Sequence, residues 1–151
     1  MKNRKRTTVK YRVAGRVITI ADDDRVKLEL LLRRAAVLEP EQAPYLAALA
    51  GELQRATVVP RSEIPADVVT MNSVVRLRDL VTDEEETYML VYPADADIEQ
   101  NRLSVLAPVG TALIGYRAGD VVEWPVPAGV RRFRVEEVVS QPKPDFAGSA
   151  V

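Results

Sequence analysis

Residues 67–119 read DVVTMNSVVRLRDLVTDEEETYMLVYPADADIEQNRLSVLAPVGTALIGYRAG, and this stretch decides the fold. Val74–Leu80 and Thr87–Val91 are two β-prone runs of alternating apolar residues, separated by an acidic turn. A loop rich in Pro, Asp and Asn follows, then a third strand at Leu103–Leu106 and a short apolar helix around Ala112–Ile114. The order predicts an antiparallel sheet whose apolar face is covered by one short helix.

Two further strands complete the predicted sheet. They are Asp120–Val126 and Arg132–Val139, with a turn at 127–129 between them. The last strand alternates apolar and charged residues, which predicts one buried face and one solvated face. From Gln141 to the end at residue 151 the content of Pro, Gly and Ser predicts a flexible tail.

Upstream of the sheet, residues 17–61 contain the pattern of a short helical hairpin. Asp22–Asp24 suit the start of a first helix, because carboxylates accept hydrogen bonds from free N–H groups and face the positive end of the helix dipole. This helix runs to about Leu38, and two prolines then interrupt the pattern. At about 14 residues each, two antiparallel helices would form a coiled coil of roughly 20 Å. The second helix has its apolar stripe at Leu46, Leu49, Leu53 and Ala56.

The segment Thr57–Asp67 holds two prolines and several polar residues, which is typical of a linker. We therefore place a domain boundary near Ser62. Residues 62–140 would form the sheet domain, and the overall class is α+β.

Composition excludes several classes of function. Hydrophobic residues make up 47% of the chain and charged residues 28%, as in a soluble globular protein. There is no cysteine and no histidine, which excludes disulfides, thiolate zinc sites and imidazole catalysis. No apolar run approaches the roughly 20 residues that span a bilayer, and the basic N-terminus lacks the apolar core of a secretory signal. We expect a cytoplasmic protein that does not contact membranes.

Charge is unevenly distributed along the chain. Of the 21 Lys and Arg residues, seven lie in residues 1–20, where there is no acid, which leaves 14 basic residues against 22 acidic ones in the remainder. Residues 1–16 are therefore predicted to be a basic, flexible arm. The arm is either a solvated leader or a weak contact for nucleic acid, since phosphate neutralisation needs only Lys and Arg. No aromatic stacking platform accompanies it.

Seven short segments carry a family resemblance: Leu90-Val91, Ala96-Asp97, Gln100-Asn101, Leu103–Val105, Pro108, Ala112–Gly115 and Gly119–Val122. With the order hairpin, linker and sheet, they resemble the bacterial Gre transcription elongation factors, and the likeness extends over about residues 17–140. Three signatures are similar to one branch of that family, the regulators of nucleoside diphosphate kinase (Rnk): Asp67–Ser73, Val91–Ala94 and Leu103–Gly110.

The resemblance implies an FKBP-like sheet domain that binds RNA polymerase, at the coiled coil of the largest subunit on the rim of the secondary channel. In Gre factors a long hairpin points inward, and acidic residues at its tip help hold a catalytic Mg²⁺ that cleaves RNA. In the Rnk branch the hairpin is too short to reach the active centre. The resemblance therefore implies a regulator that competes with Gre factors and is not itself an enzyme, with no cofactor and no small-molecule substrate.

The candidate polymerase-binding residues are Tyr92, Pro93, Asp95, Asp97 and Pro108. An exposed loop on a rigid sheet is a suitable binding epitope. Gre factors tend to have acidic residues at Pro93 and the alanine after it, which leaves the two aspartates as charges for a basic partner surface. The alternative is that Pro and Asp only build the turn. For Pro108 the alternative is that it only sets the entry to the short helix.

Glu39 and Glu41 lie at the predicted tip of the hairpin. One reading is a cleavage factor, in which this pair presents Mg²⁺, an ion that takes hard oxygen ligands. The other is ordinary helix-terminus chemistry, because acidic residues are common there and a ~20 Å hairpin is short for the task.

Two enzymatic readings are not supported by the residues. Fold alone does not imply prolyl isomerase activity, and with 5% aromatic residues we expect no convincing aromatic-lined pocket. Kinase activity lacks a glycine-rich phosphate loop and a histidine to phosphorylate.

Overall fold

The chain forms a helical part followed by a sheet. The computed structural model describes residues 17–38, 43–126 and 129–142. Single-turn 3₁₀ helices lie at Arg61–Glu63, Pro93–Asp95 and Ile98–Gln100. The α-helices are α1 (Asp22–Leu38), α2 (Ala43–Arg55) and α3 (Pro108–Leu113). The strands are β1 (Thr19–Ala21), β2 (Thr57–Val59), β3 (Val74–Asp79), β4 (Glu85–Val91), β5 (Arg102–Ser104), β6 (Val121–Val126) and β7 (Gly129–Ser140).

Helix α1 begins and ends where the sequence predicts. The carboxylates of Asp22 and Asp23 each accept the backbone N–H of the next residue, at 2.8 and 2.9 Å, so they use donors that the first turn leaves free. One face buries Leu28, Leu32 and Ala35, at the i, i+4, i+7 spacing of a helix stripe. With 17 residues, α1 is about 26 Å long.

Helix α2 carries three of the four residues of the predicted apolar stripe, since the fourth, Ala56, follows the end of the helix. Leu46, Leu49 and Leu53 are buried, and α2 packs against α1. Residues 39–42, which join the two helices, lie outside the described residues. The antiparallel coiled-coil description therefore stays a prediction.

Strands β1 and β2 tie the two ends of the helical part together. They pair in parallel, with Thr19 opposite Thr57 and Ala21 opposite Val59, and Thr57 N donates to Ile18 O at 2.8 Å. The reading of residues 57–67 as a plain linker is therefore wrong, because that segment contains strand β2 and a 3₁₀ turn. Its partner strand lies almost 40 residues earlier, so local sequence could not reveal the pairing.

The five remaining strands form one sheet in the order β5-β4-β3-β7-β6. The β3–β4, β3–β7 and β6–β7 pairs are antiparallel, as predicted. The β4–β5 pair is parallel, with Val91 beside Ser104, so the prediction of a wholly antiparallel sheet is wrong. The residues between these strands bring Arg102 back beside Met89, and the two strands then run in the same direction.

Helix α3 packs against β5, β6 and α2, and its residues from Gly110 to Leu113 are buried. A Cβ added at Gly110 would lie 2.0 Å from Ser104 O, so only glycine allows the helix to approach β5 this closely. Leu113 and Ile114 are fully buried, as expected of a short helix that covers the apolar face of the sheet.

The core runs without interruption from the helices into the sheet. Because these side chains form one cluster, the helices and the sheet pack against each other directly. The domain boundary near Ser62 stays a prediction that no observation tests. Members of the cluster include Ile18, Leu28, Leu49, Met71, Leu77, Leu90, Leu113, Tyr116 and Val135.

The outer face of the sheet is charged and solvated. Arg76 pairs with Glu137, and Arg78 Nε lies 3.3 Å from Glu136 across neighbouring strands. Pairs at the surface contribute little to stability, because solvent and salt screen their charges. Gln141, which we assigned to the tail, donates to the backbone oxygens of Pro65 and Val68. Residues 143–151 of the predicted tail lie outside the described part of the chain.

Candidate functional site

The predicted contact residues lie at one edge of the sheet, in the loop that joins β4 to β5. This β4–β5 loop, residues 92–101, is built from two successive 3₁₀ turns. The first begins with Pro93, whose ring fixes φ and whose missing N–H costs nothing at a helix start. Asp95 N closes the turn on Tyr92 O at 2.9 Å.

Asp97 has a structural part in the second turn. Its carboxylate accepts from Glu99 N at 3.1 Å, and its backbone exchanges two hydrogen bonds with Arg102, at 3.0 and 2.9 Å. The side chain is half-buried. The turn-building alternative therefore describes what Asp97 does within the chain, while a contact with polymerase stays a prediction.

The exposed surface of the loop combines a proline, the carboxylates of Asp95 and Glu99, and an aliphatic side chain. Pro93 and Asp95 are exposed, and Ile98 is 66% exposed. Ile98 was missed in the sequence analysis, although an isoleucine between acidic residues in a polar loop was a signal. An apolar side chain and exposed carboxylates in one loop suit contact with a mixed apolar and basic partner surface.

The parallel β4–β5 pair brings Pro108 to the same edge. Val91 and Ser104 are register partners, so the segments after both strands leave the sheet together. Pro108 stands at the first position of α3 and is exposed. Pro93 and Pro108, which are 15 positions apart in sequence, thus lie just after the ends of two neighbouring strands.

Tyr92 points toward the helices. Its hydroxyl donates to Asp24 Oδ1 at 3.2 Å, and Lys27 Nζ lies 5.8 Å from the ring centre. Burial, and next the negative charge of Asp24, raise the pKa of Tyr92 above its ordinary value, so the hydroxyl keeps its proton. Within the chain, Tyr92 attaches the loop to the first turn of α1. A role in polymerase binding stays a prediction for this residue.

Asp24 is the carboxylate on which these contacts converge, and it is only 2% exposed. Arg61 Nη2 lies 2.7 Å from Oδ1, and Met71 N donates to Oδ2 at 3.3 Å. We call Asp24, Arg61, Met71 and Tyr92 the Asp24 junction. Burial raises the pKa of Asp24, and the Arg61 guanidinium opposes that shift.

Asp23 strengthens the same junction from the surface. Arg61 donates to it from Nε at 3.1 Å and from Nη2 at 2.9 Å. Burial raises the pKa of Asp23, but the hydrogen bond and charge of Arg61 outweigh it, so that pKa lies below its usual value. The sequence alone predicts only a helix-capping role for Asp23 and Asp24. Arg61, the single basic residue between Thr57 and Asp67, was the available signal for a buried partner.

Several predicted features lie outside the described residues: the tip residues Glu39 and Glu41, and the basic arm 1–16. Among the described residues, no group of three or more Asp, Glu, His or Cys could hold a metal ion. In the same part of the chain, no helix is long and apolar enough to cross a membrane.

Neither of two further cavities offers a catalytic constellation. A groove of about 330 Å³ between α1 and α2 is mostly apolar, with Leu32, Ala36 and Ala50 in its lining. A cavity of about 80 Å³ beside Tyr88 and Phe133 is well below the roughly 300 Å³ of ordinary ligand pockets.

Comparison with known proteins gives consistent matches. A family model described as "Transcription elongation factor, GreA/GreB, C-term" matches residues 64–140. The regulator of nucleoside diphosphate kinase from Escherichia coli strain K12 is 40% identical over 131 residues, which cover 87% of this chain and 93% of that protein. Transcription elongation factor GreA from Clostridium botulinum strain Hall is 35% identical over 138 residues, covering 89% and 81% of the two proteins.

Among solved structures, a prokaryotic transcription elongation factor GreA/GreB from Nitrosomonas europaea is similar to this chain with a TM-score of 0.69 and 44% identity. The match covers 82% of this chain and 98% of that one. The order of helices and sheet described above is therefore shared with a solved structure of that class.

Proposed function

The chain belongs to the GreA/GreB family of transcription elongation factors, and on this premise we propose that it is an RNA polymerase-binding regulator that competes with Gre factors without stimulating transcript cleavage. The β4–β5 loop and Pro108 would dock on the coiled coil at the rim of the secondary channel. Pro93, Asp95 and Asp97 would face that coiled coil, with Tyr92 behind them.

The observation that carries this proposal is the short helical part beside a complete sheet domain. Helices α1 and α2 have 17 and 13 residues, about 26 and 20 Å. The match to the E. coli regulator covers 93% of that protein, whereas the match to GreA leaves about a fifth of it uncovered. Both facts favour a chain that docks but does not extend to the polymerase active centre.

The test is a competition assay on backtracked elongation complexes. A Gre factor at fixed concentration would cleave the transcript, and the present chain would be titrated in. We expect cleavage to fall as the chain occupies the shared site, and the chain alone to produce none above the intrinsic rate. The proposal fails if the chain binds no polymerase, or if Gre-stimulated cleavage persists at saturating occupancy.

The second candidate function is a short cleavage factor acting through Glu39 and Glu41, favoured by the 35% identity with GreA. In that case the chain alone would accelerate cleavage. Replacing both glutamates with alanine would abolish the acceleration and leave binding unchanged.

A third candidate is binding of nucleic acid through the basic arm. Deletion of residues 1–16 would then remove most of the binding and reduce its dependence on salt, because each neutralised phosphate releases counterions. An arm that serves only as a solvated leader would leave both unchanged.

A further inference from the structure

Asp24 joins parts of the chain that are far apart in sequence. It lies in the first turn of α1, Arg61 follows β2, Met71 precedes β3, and Tyr92 begins the β4–β5 loop. We propose that Asp24 is a positioning residue that sets the direction of α1 and α2 relative to the β4–β5 loop. Within the Asp24 junction, Tyr92 is the residue that attaches the loop to the helices.

Apolar contacts and hydrogen bonds between the helices and the sheet differ in how strongly they depend on direction. Apolar contacts such as those of Ile18 and Leu28 stabilise the packing but do not favour one orientation strongly, since hydrophobic burial is non-directional. Hydrogen bonds weaken steeply when they depart from linearity. The three contacts to the Asp24 carboxylate therefore select one orientation among those that the core permits.

Because Asp24 lies near the start of α1, a small rotation there displaces the far end of the helix by several ångströms. Asp24 is in the first turn of α1, and the helix extends about 21 Å beyond it to Leu38. A change of about 10° at Asp24 would move the far end of α1 by about 3.7 Å, given the 1.5 Å rise per residue. A small loss of alignment at Asp24 thus becomes a displacement of a side-chain length at the far end.

Loss of the Asp24 carboxylate need not unfold the chain. Arg61 would keep its two bonds to Asp23, at 3.1 and 2.9 Å. Tyr92 would keep the cation contact of Lys27 over its ring. The variant Asp24→Asn also retains an acceptor oxygen for Met71 N. The substitution therefore removes the charge and the oxygen that Arg61 and Tyr92 both contact. The bonds of Arg61 to Asp23 and the contact of Lys27 with the Tyr92 ring stay in place.

The consequence for transcription rests on the proposed function. If the β4–β5 loop docks on polymerase, the direction of α1 and α2 decides whether these helices obstruct the channel. Loss of the contacts in the Asp24 junction would then leave polymerase binding intact. It would weaken the competition with Gre factors at equal occupancy of polymerase.

The positioning role of Asp24 can be tested on the free protein by measuring the distance between two spin labels. The chain has no cysteine, so Val37→Cys and Val81→Cys can be labelled without other changes. Both positions are well exposed, at 78% and 74%, and they report on α1 and on the turn between β3 and β4. Pulsed electron paramagnetic resonance then gives the distribution of distances between helices and sheet.

Two variants and two matched controls complete the design. We expect Asp24→Asn to widen the distance distribution at least twofold, and Tyr92→Phe to widen it by a smaller amount. Asp22→Asn makes the same change in the same turn, where the carboxylate contacts only its neighbour's N–H among described groups. Tyr88→Phe removes a hydroxyl that donates to Glu86 on the same strand. Both controls are expected to keep the distribution of the unsubstituted chain.

A distribution for Asp24→Asn as narrow as that for Asp22→Asn overturns the proposal. If circular dichroism shows that Asp24→Asn does not fold, Tyr92→Phe decides, and an unchanged width overturns the proposal. The same labelled variants are then assayed for polymerase binding. Failure of every variant and of the unsubstituted chain to bind would refute the proposed function and leave the distance result standing.

Discussion

Ile18 lies directly over the α-carbon of Gly115, so close that a Cβ added to this glycine would be 2.6 Å from Ile18 Cβ. Gly115 also has φ of +84°, a conformation that side chains with a Cβ rarely adopt. The contact joins the segment that leads into β1 with the chain two residues after the end of α3. This contact between Ile18 and Gly115 is one of the points at which the helical part is attached to the sheet.

Gly115→Ala should therefore destabilise the whole fold. Left-handed strain and overpacking together predict a loss of roughly 2–5 kcal/mol in the free energy of unfolding. Urea denaturation measures this loss. Gly119→Ala is the matched control, because its φ is +96° but nothing lies within 4 Å of an added Cβ. It should cost only about 1–2 kcal/mol, and equal losses in the two variants would mean that Ile18 does not constrain Gly115.

Leu49 tests whether α2 is part of the common core. Its side chain is fully buried, so Leu49→Ala should lower the free energy of unfolding by about 2–5 kcal/mol through lost burial and the cavity left behind. Leu30→Ala on α1 is the control, since Leu30 is 60% exposed and should change stability by no more than about 0.5 kcal/mol. A single unfolding transition in both variants is expected if helices and sheet unfold together. Two separate transitions would contradict a shared core.

Asp79 should make stability depend on acid pH. The backbone N–H of Val81 lowers the pKa of this carboxylate below its ordinary value of 3.8, and the ion pair with Arg131 adds to that effect against the opposing effect of burial. Because the folded-state pKa is depressed, the contribution of Asp79 is fully present above its unfolded value near 3.8. It is lost as pH falls through the lower folded value.

The measurement is the urea midpoint of the chain and of Asp79→Asn between about pH 2 and pH 7, the range in which carboxyl groups titrate. The difference between the two should be largest at neutral pH and should shrink below the unfolded pKa. Asp95→Asn, in the exposed β4–β5 loop, shows the effect of removing one carboxylate from the surface. If the difference in urea midpoint is constant between about pH 2 and pH 7, the titration of Asp79 is not linked to folding.

Asp95 tests the docking surface and depends on the proposed function. Asp95→Arg places a positive charge where a basic partner surface is expected, and should weaken polymerase binding about tenfold, mainly through slower association. Glu84→Arg makes the same charge change at the opposite end of β4, roughly 20 Å away by the rise of a strand. Fluorescence anisotropy with labelled chain measures both. Equal affinities for the two variants would exclude the β4–β5 loop as the contact.

Much of the local structure was predictable because it depends on periodic patterns within single segments. The aspartates that open α1 and the stripe of Leu46, Leu49 and Leu53 each follow from local pattern alone. The alternation predicted for β7 is seen only in part, because Val135 is the one buried residue of that strand. The predicted strands all exist, with ends that differ by a few residues. The family resemblance added the order in which these elements combine.

The candidate site was predictable only in part. The sequence indicated the loop, its exposed Asp95 and the turn chemistry of Asp97. It did not indicate that Tyr92 turns away from the surface, because its partner Asp24 is 68 positions earlier in the chain. A tyrosine beside a proline in a polar loop gives no local sign of a buried carboxylate.

The sequence by itself determined most of the helices, strands and turns, since capping, periodicity and proline act over a few residues. Strand β2 is an exception, because its short segment has the pattern of a linker. Only the tertiary structure decided the parallel pairing of β1 with β2 and of β4 with β5, and the meeting of Asp24 with Arg61 and Tyr92. These contacts join residues 13 to 68 positions apart, and each forms only when the shared core has brought its partners together. A buried carboxylate then requires a charged partner, and the fold places Arg61 where it supplies one.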